Sequence, residues 1–403
     1  MTRNVVVTGM GVVAPNGASI PEFWTGLTSG ESAIVKREYS VADKFSMTVP
    51  VAPVDGLEER LKSLGPQARR MDRFTQFAML AAEEAIEESG LAFDEALGAR
   101  TACIIGTGIG GQTTFDDGYV GMLCNDRRPH PLTILKIIPN APASQLSIKH
   151  GLYGPSFAVS SACATGAHAI GVCAELIKSG AADAGVAGAS EAVLAYGALE
   201  SWRAMHIMSD ETCRPFSKNR NGLVIGEGAG VLILEEEEHA KKRGADILCR
   251  IAGFGMNADG KDMINPAVEG SSGAMKLALK EVAGADASRF YINAHGTGTL
   301  LNDPTETKAI RSVFGADADA LAVSSTKSMH GHLLGAAGGI ESIASILALR
   351  NGVIPPTANY DEPDPECDLN YTPNNAEERD VDIALSNSFA FGGLNAVVAF
   401  GKV

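Results

Sequence analysis

The sequence has little that would place it in a membrane or an exported compartment. None of its apolar stretches reaches the roughly 18 uninterrupted residues that a membrane span needs. The opening stretch MTRNVVVTGMGVVAPNG has an apolar run that glycines interrupt at once, unlike the central region of a signal peptide. We therefore expect a cytoplasmic protein without membrane insertion.

Cysteine is scarce and shows no pairing pattern. The seven cysteines are odd in number and scattered, and none of them belongs to a C-x-x-C pair. This distribution argues against a disulfide framework and against a thiolate metal site. We expect free thiols, most of them acting as small hydrophobic core residues, and no metal.

Basic residues are outnumbered by acidic ones. The chain has 33 Lys and Arg against 48 Asp and Glu, which gives a net charge of −15. Nucleic acid is therefore a poor candidate partner, because its binding depends on a basic surface that neutralises phosphates. An acidic protein could still dock on the local pairs Arg69-Arg70 and Arg127-Arg128.

What the chain does have is enough apolar material for a large core, with 45% hydrophobic residues over 403 positions. Short β-branched runs alternate with helical patterns, which is typical of α/β architecture. A helix is predicted over 72–90, where a glycine ends the periodic pattern. Buried strands are predicted over 5–11, 102–111, 156–161, 183–189 and 231–236.

One string recurs in the second half of the chain. FAVSSACATGAHAIG at 157 and LAVSSTKSMHGHLLGAAGGIE at 321 share AVSS, then a turn, then a glycine- and alanine-rich helical pattern. Similar strand patterns surround both copies. We therefore predict a duplicated unit, with an N-terminal half at 1–245 and a C-terminal half at 246–403.

Cys163 stands at the junction of a predicted strand and a predicted helix. The strand 156–161 leads into a helix from about Cys163 to Ser179, which Gly180 closes. In the first turn of a helix, free backbone N–H groups and the helix dipole stabilise a thiolate and lower the thiol pKa. Cys163 is thus predicted to be a nucleophile, whereas Cys173, in mid-helix, is predicted to be core.

Other reactive side chains lie in similar glycine-rich turns. NAHGTGTLLNDPTET carries His295, and SSTKSMHGHLLGAAG carries Lys327, His330 and His332. A single histidine is more often structural, but two in such turns, with a lysine nearby, favour a catalytic group; His330 is expected to be a surface or packing residue. A buried lysine needs a counter-charge, which Glu341 in the following helix can supply.

The last segment, SNSFAFGGLNAVVAF, contains a glycine pair at 392–393. Glycines allow backbone N–H groups to approach a reacting oxygen closely. This segment is therefore a candidate to stabilise negative charge on a substrate.

At these residues the sequence resembles the β-ketoacyl-acyl-carrier-protein synthases, condensing enzymes of the thiolase fold, and is most similar to the synthase II type. The resemblance runs the length of the chain, from VVVTGMGVVAPNG through ACATG, NAHGTGT, STKSMHGHLLGAAGG and NSFAFGG. It implies an α/β, thiolase-like fold with two similar βαβαβ-type halves in a layered α-β-α-β-α arrangement.

The resemblance also implies an acyltransferase reaction in two steps. Cys163 would take an acyl chain from acyl carrier protein as a thioester, and malonyl carrier protein would then lose carbon dioxide and attack that thioester. His295 and His332 would stabilise the enolate oxygen, and Lys327 would give electrostatic support with Glu341. No cofactor is implied, because phosphopantetheine arrives on the carrier protein.

Further positions match the family's binding regions. They are the backbone N–H groups of Cys163 and Phe391 as oxyanion hole, Phe389 and Gly392 in the gating loop, Thr297 and Thr299 at the phosphopantetheine arm, Ile109, Trp202 and Phe391 at the acyl pocket, and Arg69, Arg70, Arg127 and Arg128 at the carrier-docking surface.

The chain departs from the family's pattern at a few positions. Ala390 and Leu394 stand where the family commonly has glycine and threonine, so we expect a stiffer gating loop and a more apolar entrance. Asp262 replaces a usual histidine, and Trp202 and His206 are also unusual. These departures bear on the substrate and on docking.

Alternatives remain open at this stage. GTGIGG at 106–111 fits a dinucleotide-binding pattern, although QTTFDDGYVG after it is a poor helix start. The pathway is either fatty acid elongation or polyketide or polyene synthesis, in which a catalytic subunit pairs with a chain-length-factor homologue. We expect a dimer, because two fused halves leave an edge strand and two-fold pairs are the commonest oligomers.

Overall fold

The computed structural model describes residues 3–41, 44–282 and 285–403. In these ranges the strands are β1 (Val5–Val13), β2 (Val35–Val41), β3 (Phe45–Ala52), β4 (Thr101–Gly106), β5 (Ser156–Phe157), β6 (Ala184–Glu191), β7 (Ile225–Gly226), β8 (Gly228–Glu236), β9 (Cys249–Ala258), β10 (Phe290–Asn293), β11 (Ala322–Ser324), β12 (Val353–Ile354), β13 (Glu377–Glu378), β14 (Ile383–Ala390) and β15 (Leu394–Gly401).

Helices alternate with these strands. They are α1 (Ile20–Ser29), α2 (Glu58–Ser63), α3 (Arg73–Ser89), α4 (Glu95–Gly98), α5 (Gln112–Cys124), α6 (Thr133–Ile137), α7 (Ala141–His150), α8 (Thr165–Lys178), α9 (Tyr196–Ala204), α10 (Glu237–Lys242), α11 (Val268–Ala278), α12 (Asn302–Phe314), α13 (Lys327–His330) and α14 (Ala337–Asn351). Within the described ranges, no helix is long and apolar enough to cross a membrane.

The strand order confirms the predicted duplication. The main sheet runs β5-β4-β6-β8-β1 and continues as β9-β15-β14-β10-β11. Each group of five has the same pairing. In the first, β4 lies parallel to β5 and β6, and in the second, β10 lies parallel to β11 and β14. The remaining neighbours in both groups are antiparallel. Strands β1 and β9 meet over two residue pairs only, so two five-stranded halves join there.

Side chains alternate along the strands between an outer core and a shared central core. In β8, Val231 and Ile233 pack in the core beneath α3, and Leu232 faces the centre. In β15, Val397 packs beneath α11, and Val398 faces the centre. Helices α8 and α14 fill that central layer, which gives an α-β-α-β-α stack.

The same glycine pair seats the outer helix in each half. A Cβ at Gly11 of β1 would lie 1.9 Å from the carbonyl oxygen of Ala81 in α3, and a Cβ at Gly253 of β9 would lie 1.9 Å from that of Ala278 in α11. Neither position has room for a side chain. The two G-x-G strands, VTGMGV and IAGFGM, therefore allow each helix to lie directly on its sheet.

The two central helices also cross through glycines. A Cβ at Gly166 of α8 would lie 2.4 Å from the backbone N of Gly339 in α14, and a Cβ at Gly338 would lie 2.5 Å from the N of Ala167. This crossing leaves no space for side chains. It brings the segment before α8, with Cys163, against the segment before α14.

Three expectations from the sequence are wrong. The strand predicted over 102–111 ends at Gly106. The strand predicted over 156–161 ends at Phe157, because β5 is the outermost strand and its pairing to β4 covers two residues only. The poor helix start after GTGIGG is a helix after all, since α5 begins at Gln112. The objection to dinucleotide binding therefore lies elsewhere: the N–H groups of Gly108 and Ile109 are occupied by the Glu191 carboxylate.

Candidate active site

Cys163 lies on a sharp elbow between β5 and α8. Ala162 before it has φ +47°, a left-handed conformation that costs a residue with a Cβ about 1–2 kcal/mol. Thr165 holds the elbow closed, because its Oγ1 accepts a hydrogen bond from Ser161 N at 2.8 Å and donates one to Ala162 O at 2.8 Å. The thiol lies in the 3₁₀ turn Ala162–Ala164, just ahead of the α-helix and not within its first turn as predicted.

His332 reaches this thiol from the other half of the chain. Its backbone is fixed beside strand β7, where His332 N donates to Val224 O at 2.6 Å and Gly226 N donates to His332 O at 2.9 Å. Nε2 of His332 lies 3.0 Å from Sγ of Cys163. The two groups are therefore within hydrogen-bond distance although 169 positions separate them in sequence.

His295 completes the group. Glu306, in α12, accepts hydrogen bonds from His295 N and Gly296 N, both at 2.8 Å. The ring centroids of His295 and His332 are 5.4 Å apart, with the rings edge to face. One thiol and two imidazole side chains thus share a buried site.

Lys327 and Glu341 form a fully buried ion pair near the site. Both side chains have 0% exposure, so the predicted counter-charge is where the sequence placed it. His330, on the same short helix as Lys327, is buried and bonds through Nε2 to Thr326 Oγ1 at 3.0 Å. It is a packing residue and not a surface one.

Burial keeps both site imidazoles neutral. Desolvation, followed by the positive charge of Lys327, lowers the pKa of His295 and of His332 well below 6.5. A neutral ring can donate an N–H to a developing negative charge without readily protonating it. Neutral rings therefore suit the enolate-stabilising role that the resemblance implies for His295 and His332.

The thiol pKa differs from the sequence expectation. Burial raises the pKa of Cys163 to about 12, although the Lys327 charge and the backbone N–H of Phe391 lower it. The expected lowering at a helix start is outweighed, because removing a thiolate from water costs more than the nearby dipoles return. Stabilisation of the thiolate must therefore come from short contacts such as His332 Nε2.

The three side chains open on one cavity of about 250 Å³. Predicted residues Thr297, Thr299, Phe389 and Phe391 lie on its wall, and the two threonine Oγ1 atoms are 3.0 Å apart. The remaining wall consists of His206, Ile207, Asn221, Gly222, Leu223, Ile264, Pro266, Leu300, Leu301, Asn302 and Ala390.

The backbone N–H groups of the glycine pair at 392–393 form hydrogen bonds within the protein and do not point at the site. Gly392 N donates to Met263 O at 2.8 Å and Gly393 N donates to Ala390 O at 3.0 Å. Both N–H groups are therefore satisfied inside the protein, contrary to the sequence expectation for this pair. The backbone N–H of Phe391, by contrast, acts on the Cys163 thiol and lowers its pKa.

Two predicted acyl-pocket residues lie outside this cavity wall. Ile109 is 45% exposed on the surface. Trp202, on α9, packs against the central core, and its ring centroid lies 6.2 Å from that of Phe391. Trp202 can therefore affect the cavity through Phe391.

The predicted docking arginines lie on the surface. Arg69, Arg70 and Arg128 are exposed and have no ion pair within the described ranges. Arg127 differs, because its Nη2 lies 2.7 Å from Asp117 Oδ1. Three of the four charges are thus free for an acidic partner.

The sequence reasoning missed Glu306 and Asn387. Asn387 Nδ2 donates to Glu306 Oε1 at 3.1 Å, so the carboxylate that fixes the His295 loop is itself fixed by β14. A signal was available, since Glu306 follows His295 by 11 residues in the quoted segment. Only the fold shows that α12 brings it back beneath the loop.

Cys163, His295 and His332 also offer three metal-ligating atoms within 4.8 Å of one another. Histidines that bind metals usually donate their second N–H to an acceptor. Nδ1 of neither ring has a hydrogen-bond partner in the part of the chain that is described. The set therefore lacks the outer partners of a structural metal site, and the expectation of no metal stays a prediction.

Family models match most of the chain. The model described as "Beta-ketoacyl synthase, N-terminal domain" matches residues 2–240, and "Beta-ketoacyl synthase, C-terminal domain" matches residues 248–361. Nodulation protein E of Rhizobium sp. (strain N33) is 44% identical over 408 residues, covering 100% of both chains. The 3-oxoacyl-[acyl-carrier-protein] synthase 2 of Coxiella burnetii is 41% identical over 413 residues, covering 100% of this chain and 99% of its own.

Solved structures show the same architecture. The ishigamide ketosynthase/chain length factor superimposes with a TM-score of 0.91 at 31% identity. A type II PKS acyl-carrier protein in complex with its ketosynthase, bound to the hexaketide, gives a TM-score of 0.88 at 33% identity. Each alignment covers 100% of both chains.

Proposed function

The chain belongs to the beta-ketoacyl synthase family and is a condensing enzyme of thiolase-like fold, and from this premise we propose that Cys163 is the residue that carries the acyl chain. One observation carries the proposal. The thiol and two neutral imidazoles open on the same buried cavity, and Nε2 of His332 lies 3.0 Å from the sulfur.

In the first half-reaction, Cys163 takes the acyl group from acyl carrier protein. The bond from the acyl carbonyl to Sγ forms, the bond to the pantetheine sulfur breaks, and the thiol proton ends on the departing pantetheine thiol. His332 Nε2–H stabilises the thiolate, and the N–H of Phe391 stabilises the carbonyl oxygen while it carries negative charge.

In the second half-reaction, malonyl carrier protein enters the same cavity. The bond to its carboxylate breaks, carbon dioxide leaves, and the enolate oxygen accepts hydrogen bonds from the N–H groups of His295 and His332. The enolate carbon then attacks the acyl carbonyl, and Sγ leaves as thiolate. Neutral donors suit this step, because an imidazolium would protonate the carbanion.

We propose that the phosphopantetheine arm reaches the thiol along Thr297 and Thr299, and that the carrier protein docks on the basic pairs Arg69-Arg70 and Arg127-Arg128. Arg128 and the first pair are exposed and unpaired within the described ranges. The chain itself needs no cofactor, since the arm arrives on the carrier. Dialysis against a chelator should leave condensation unchanged.

The acyl-enzyme test is a peptide mass measurement. Incubation with an acyl carrier thioester should add one acyl mass to the peptide that contains Cys163. Cys173 is the matched control, because it lies on α8 and is also a buried thiol. Cys163→Ser should lose the label and Cys173→Ser should keep it; acylation of Cys173 with Cys163 unmodified would contradict the assignment.

For the pathway, we propose elongation of a fatty acyl chain, with polyketide or polyene synthesis as the second candidate. Synthase 2 relatives favour the first, and the ketosynthase/chain length factor neighbour favours the second. Condensation rates across a series of acyl chain lengths decide between them. A chain active alone on saturated acyl thioesters supports elongation, and activity only with a co-expressed homologue supports the second.

We also propose a dimer. Strand β5 is one of the two edge strands of the main sheet, and both of its residues, Ser156 and Phe157, are exposed. Ile109, Phe115 and Tyr119 add exposed apolar side chains to this half. An uncovered edge with apolar neighbours favours pairing with a second chain across a two-fold axis. Light scattering that gives the mass of one chain at micromolar concentration would contradict this.

A further inference from the structure

A second elbow, in the C-terminal half, repeats the backbone geometry around Cys163. Leu334 has φ +47°, the same value as Ala162. The 3₁₀ turn Leu334–Ala336 leads into α14 as Ala162–Ala164 leads into α8. Gly335 therefore occupies the position that Cys163 has on the first elbow.

The space in front of this second elbow is filled by a carboxylate. Oε2 of Glu191 accepts hydrogen bonds from Gly335 N at 3.0 Å and Gly108 N at 2.7 Å. Oε1 accepts from Thr107 Oγ1 at 2.9 Å and Ile109 N at 3.3 Å. Glu191 has 0% exposure, and each of these four partners is a donor.

The source of this carboxylate follows the duplication. Glu191 ends β6, which corresponds in the strand order to β14 of the other half. Strand β14 ends at Ala390, next to Phe391, and both residues line the cavity on which Cys163 opens. Each elbow is thus faced by the end of the equivalent strand from the opposite half, and only one of the two spaces is open.

The packing around Glu191 leaves no room for a substrate. A Cβ at Gly108 would lie 2.7 Å from Oε2, and a Cβ at Gly335 would lie 2.3 Å from Gly108 N. Burial raises the pKa of Glu191 to about 7, and the four hydrogen bonds oppose that rise. Loss of the carboxylate would leave buried donors unpaired, which is costly.

We infer that the second elbow is an anion hole occupied internally by Glu191, and that Glu191 is a positioning residue for the condensation. It ties the Thr107–Ile109 loop of one half to Gly335, three residues after His332, in the other. The positioning role rests on the proposed function of Cys163 and His332. The anion hole itself depends on the contacts alone.

Two consequences separate this role from ordinary packing. Without the carboxylate, the turn after His332 loses its attachment, and a displacement of 1 Å at a reacting group can cost about 100-fold in rate. The vacated hole keeps three N–H groups and one hydroxyl, so it should accept a small carboxylate from solution. A space left by a purely apolar side chain would not do so.

The experiment uses Glu191→Ala with acetate as the probe, against chloride at equal ionic strength. We expect a lower Tm and a condensation rate reduced by up to about 100-fold, with acyl transfer to Cys163 reduced less. Acetate should raise the Tm of the variant and restore condensation several-fold, and wild type should respond to neither salt.

Glu235→Ala is the matched control. Glu235 is also fully buried on the β6–β8 ladder but lies at its other end, about 23 Å away by strand rise. Its loss should lower the Tm without changing the ratio of condensation to acyl transfer and without acetate rescue. Acetate that leaves both the Tm and the condensation rate of folded Glu191→Ala unchanged overturns the anion hole.

A milder pair of variants covers the case in which Glu191→Ala does not fold. Glu191→Gln sets an amide NH₂ against backbone donors, and Thr107→Val removes one hydroxyl donor. Both should lower the condensation to acyl-transfer ratio, Glu191→Gln more strongly, and an unchanged ratio in both overturns the positioning role. Absence of acyl mass on wild-type Cys163 would instead contradict the proposed function, because the acetate-dependent Tm needs no substrate.

Discussion

The two elbows of this molecule have the same backbone and opposite contents. Ala162 and Leu334 share φ +47°, and each begins a 3₁₀ turn that leads into a buried helix. At the first, a thiol faces a cavity of about 250 Å³; at the second, Gly335 faces the carboxylate of Glu191. The comparison teaches that the elbow is a structural device first, and that an open space in front of it makes a reactive site.

The two halves differ in the reactive groups that they bring to the site. Under the proposed function, the N-terminal half supplies the nucleophile, and the C-terminal half supplies the imidazoles. His295→Ala and His332→Ala should lower decarboxylation and condensation on the order of 10²–10³-fold, while acyl transfer to Cys163 falls less, because the enolate forms only in the second half-reaction. Rates of acyl-enzyme formation and of malonyl-dependent product formation give the two values.

His330→Gln is the control for that split. His330 is buried beside the site, bonds to Gly331 O and Thr326 Oγ1, and packs its ring 6.3 Å from that of Phe23 in α1. It should lower stability without separating the half-reactions. Equal loss of both steps in the His295 and His332 variants would mean that these rings mainly hold the site together.

Lys327 and Glu341, on the two helices that flank the second elbow in sequence, form a buried ion pair. Lys327→Met leaves the Glu341 carboxylate without a counter-charge, and Glu341→Gln does the same to the Lys327 ammonium, both at 0% exposure. We expect the free energy of unfolding to fall by about 3–5 kcal/mol in each variant. Denaturant titration measures this. Arg203→Met, in an exposed pair with Glu200, is the control and should change nothing measurable; a similarly small effect at Lys327 would contradict the prediction.

The open space at the first elbow is bounded by Phe391, which Trp202 supports at 6.2 Å. Trp202→Ala should let that ring retreat and lengthen the acyl chains that are accepted, by about fourfold in rate ratio for each methylene newly buried. The measurement is the rate ratio for long against medium acyl carrier thioesters. Trp24→Ala, which removes a partly buried indole on α1, should leave the ratio unchanged. The same ratio in both variants would place length selection elsewhere.

The smallest effect concerns a feature that the halves share. Arg100 pairs with Asp183 before β4 and β6, and Arg289 pairs with Asp382 before β10 and β14. Hydrogen bonding to Arg100 lowers the pKa of Asp183 from 3.8 to about 2, and the pKa of Asp382 is also lowered by Arg289. A lowered carboxyl pKa gives stability that is present above pH 3.8 and is lost as pH falls toward 2.

Asp183→Asn should therefore show a smaller drop in Tm between pH 7 and pH 3 than wild type, and Asp382→Asn should change in the same direction. The effect is small because both pairs are partly exposed and screened by solvent. An unchanged pH dependence in both variants would show that these matching pairs are structurally equivalent without contributing to acid stability.

Particular residues show how far sequence reasoning extends. The helix predicted over 72–90 forms at Arg73–Ser89, because an Asp72 N-cap and a Gly90 stop are local signals. The AVSS repeat correctly indicates duplication, but counting along it aligns Cys163 with Lys327. The structure aligns it with Gly335, because α13 is inserted between the repeated strand and the second elbow.

Residue type, turn chemistry and periodicity can be read from neighbouring residues. The sequence therefore predicts the α/β alternation, the thiol at a turn and the histidine-bearing turns. Distances between residues that are 100 or more positions apart cannot be read in this way. The approach of His332 to Cys163 depends on the close crossing of α8 and α14, where a Cβ added to a glycine of α8 would lie 2.4 Å from the backbone of α14. The neutral state of the rings depends on burial.

The closed second elbow was equally hidden, since Glu191 looks like any acidic residue at the end of a strand until Gly335 is folded against it. Secondary-structure propensity depends on neighbouring residues, so the sequence alone determines it. The protonation of the imidazoles, the cavity at Cys163 and the contact of Glu191 with Gly335 depend on which surfaces pack together and exclude water, and this is determined only when the two halves pack.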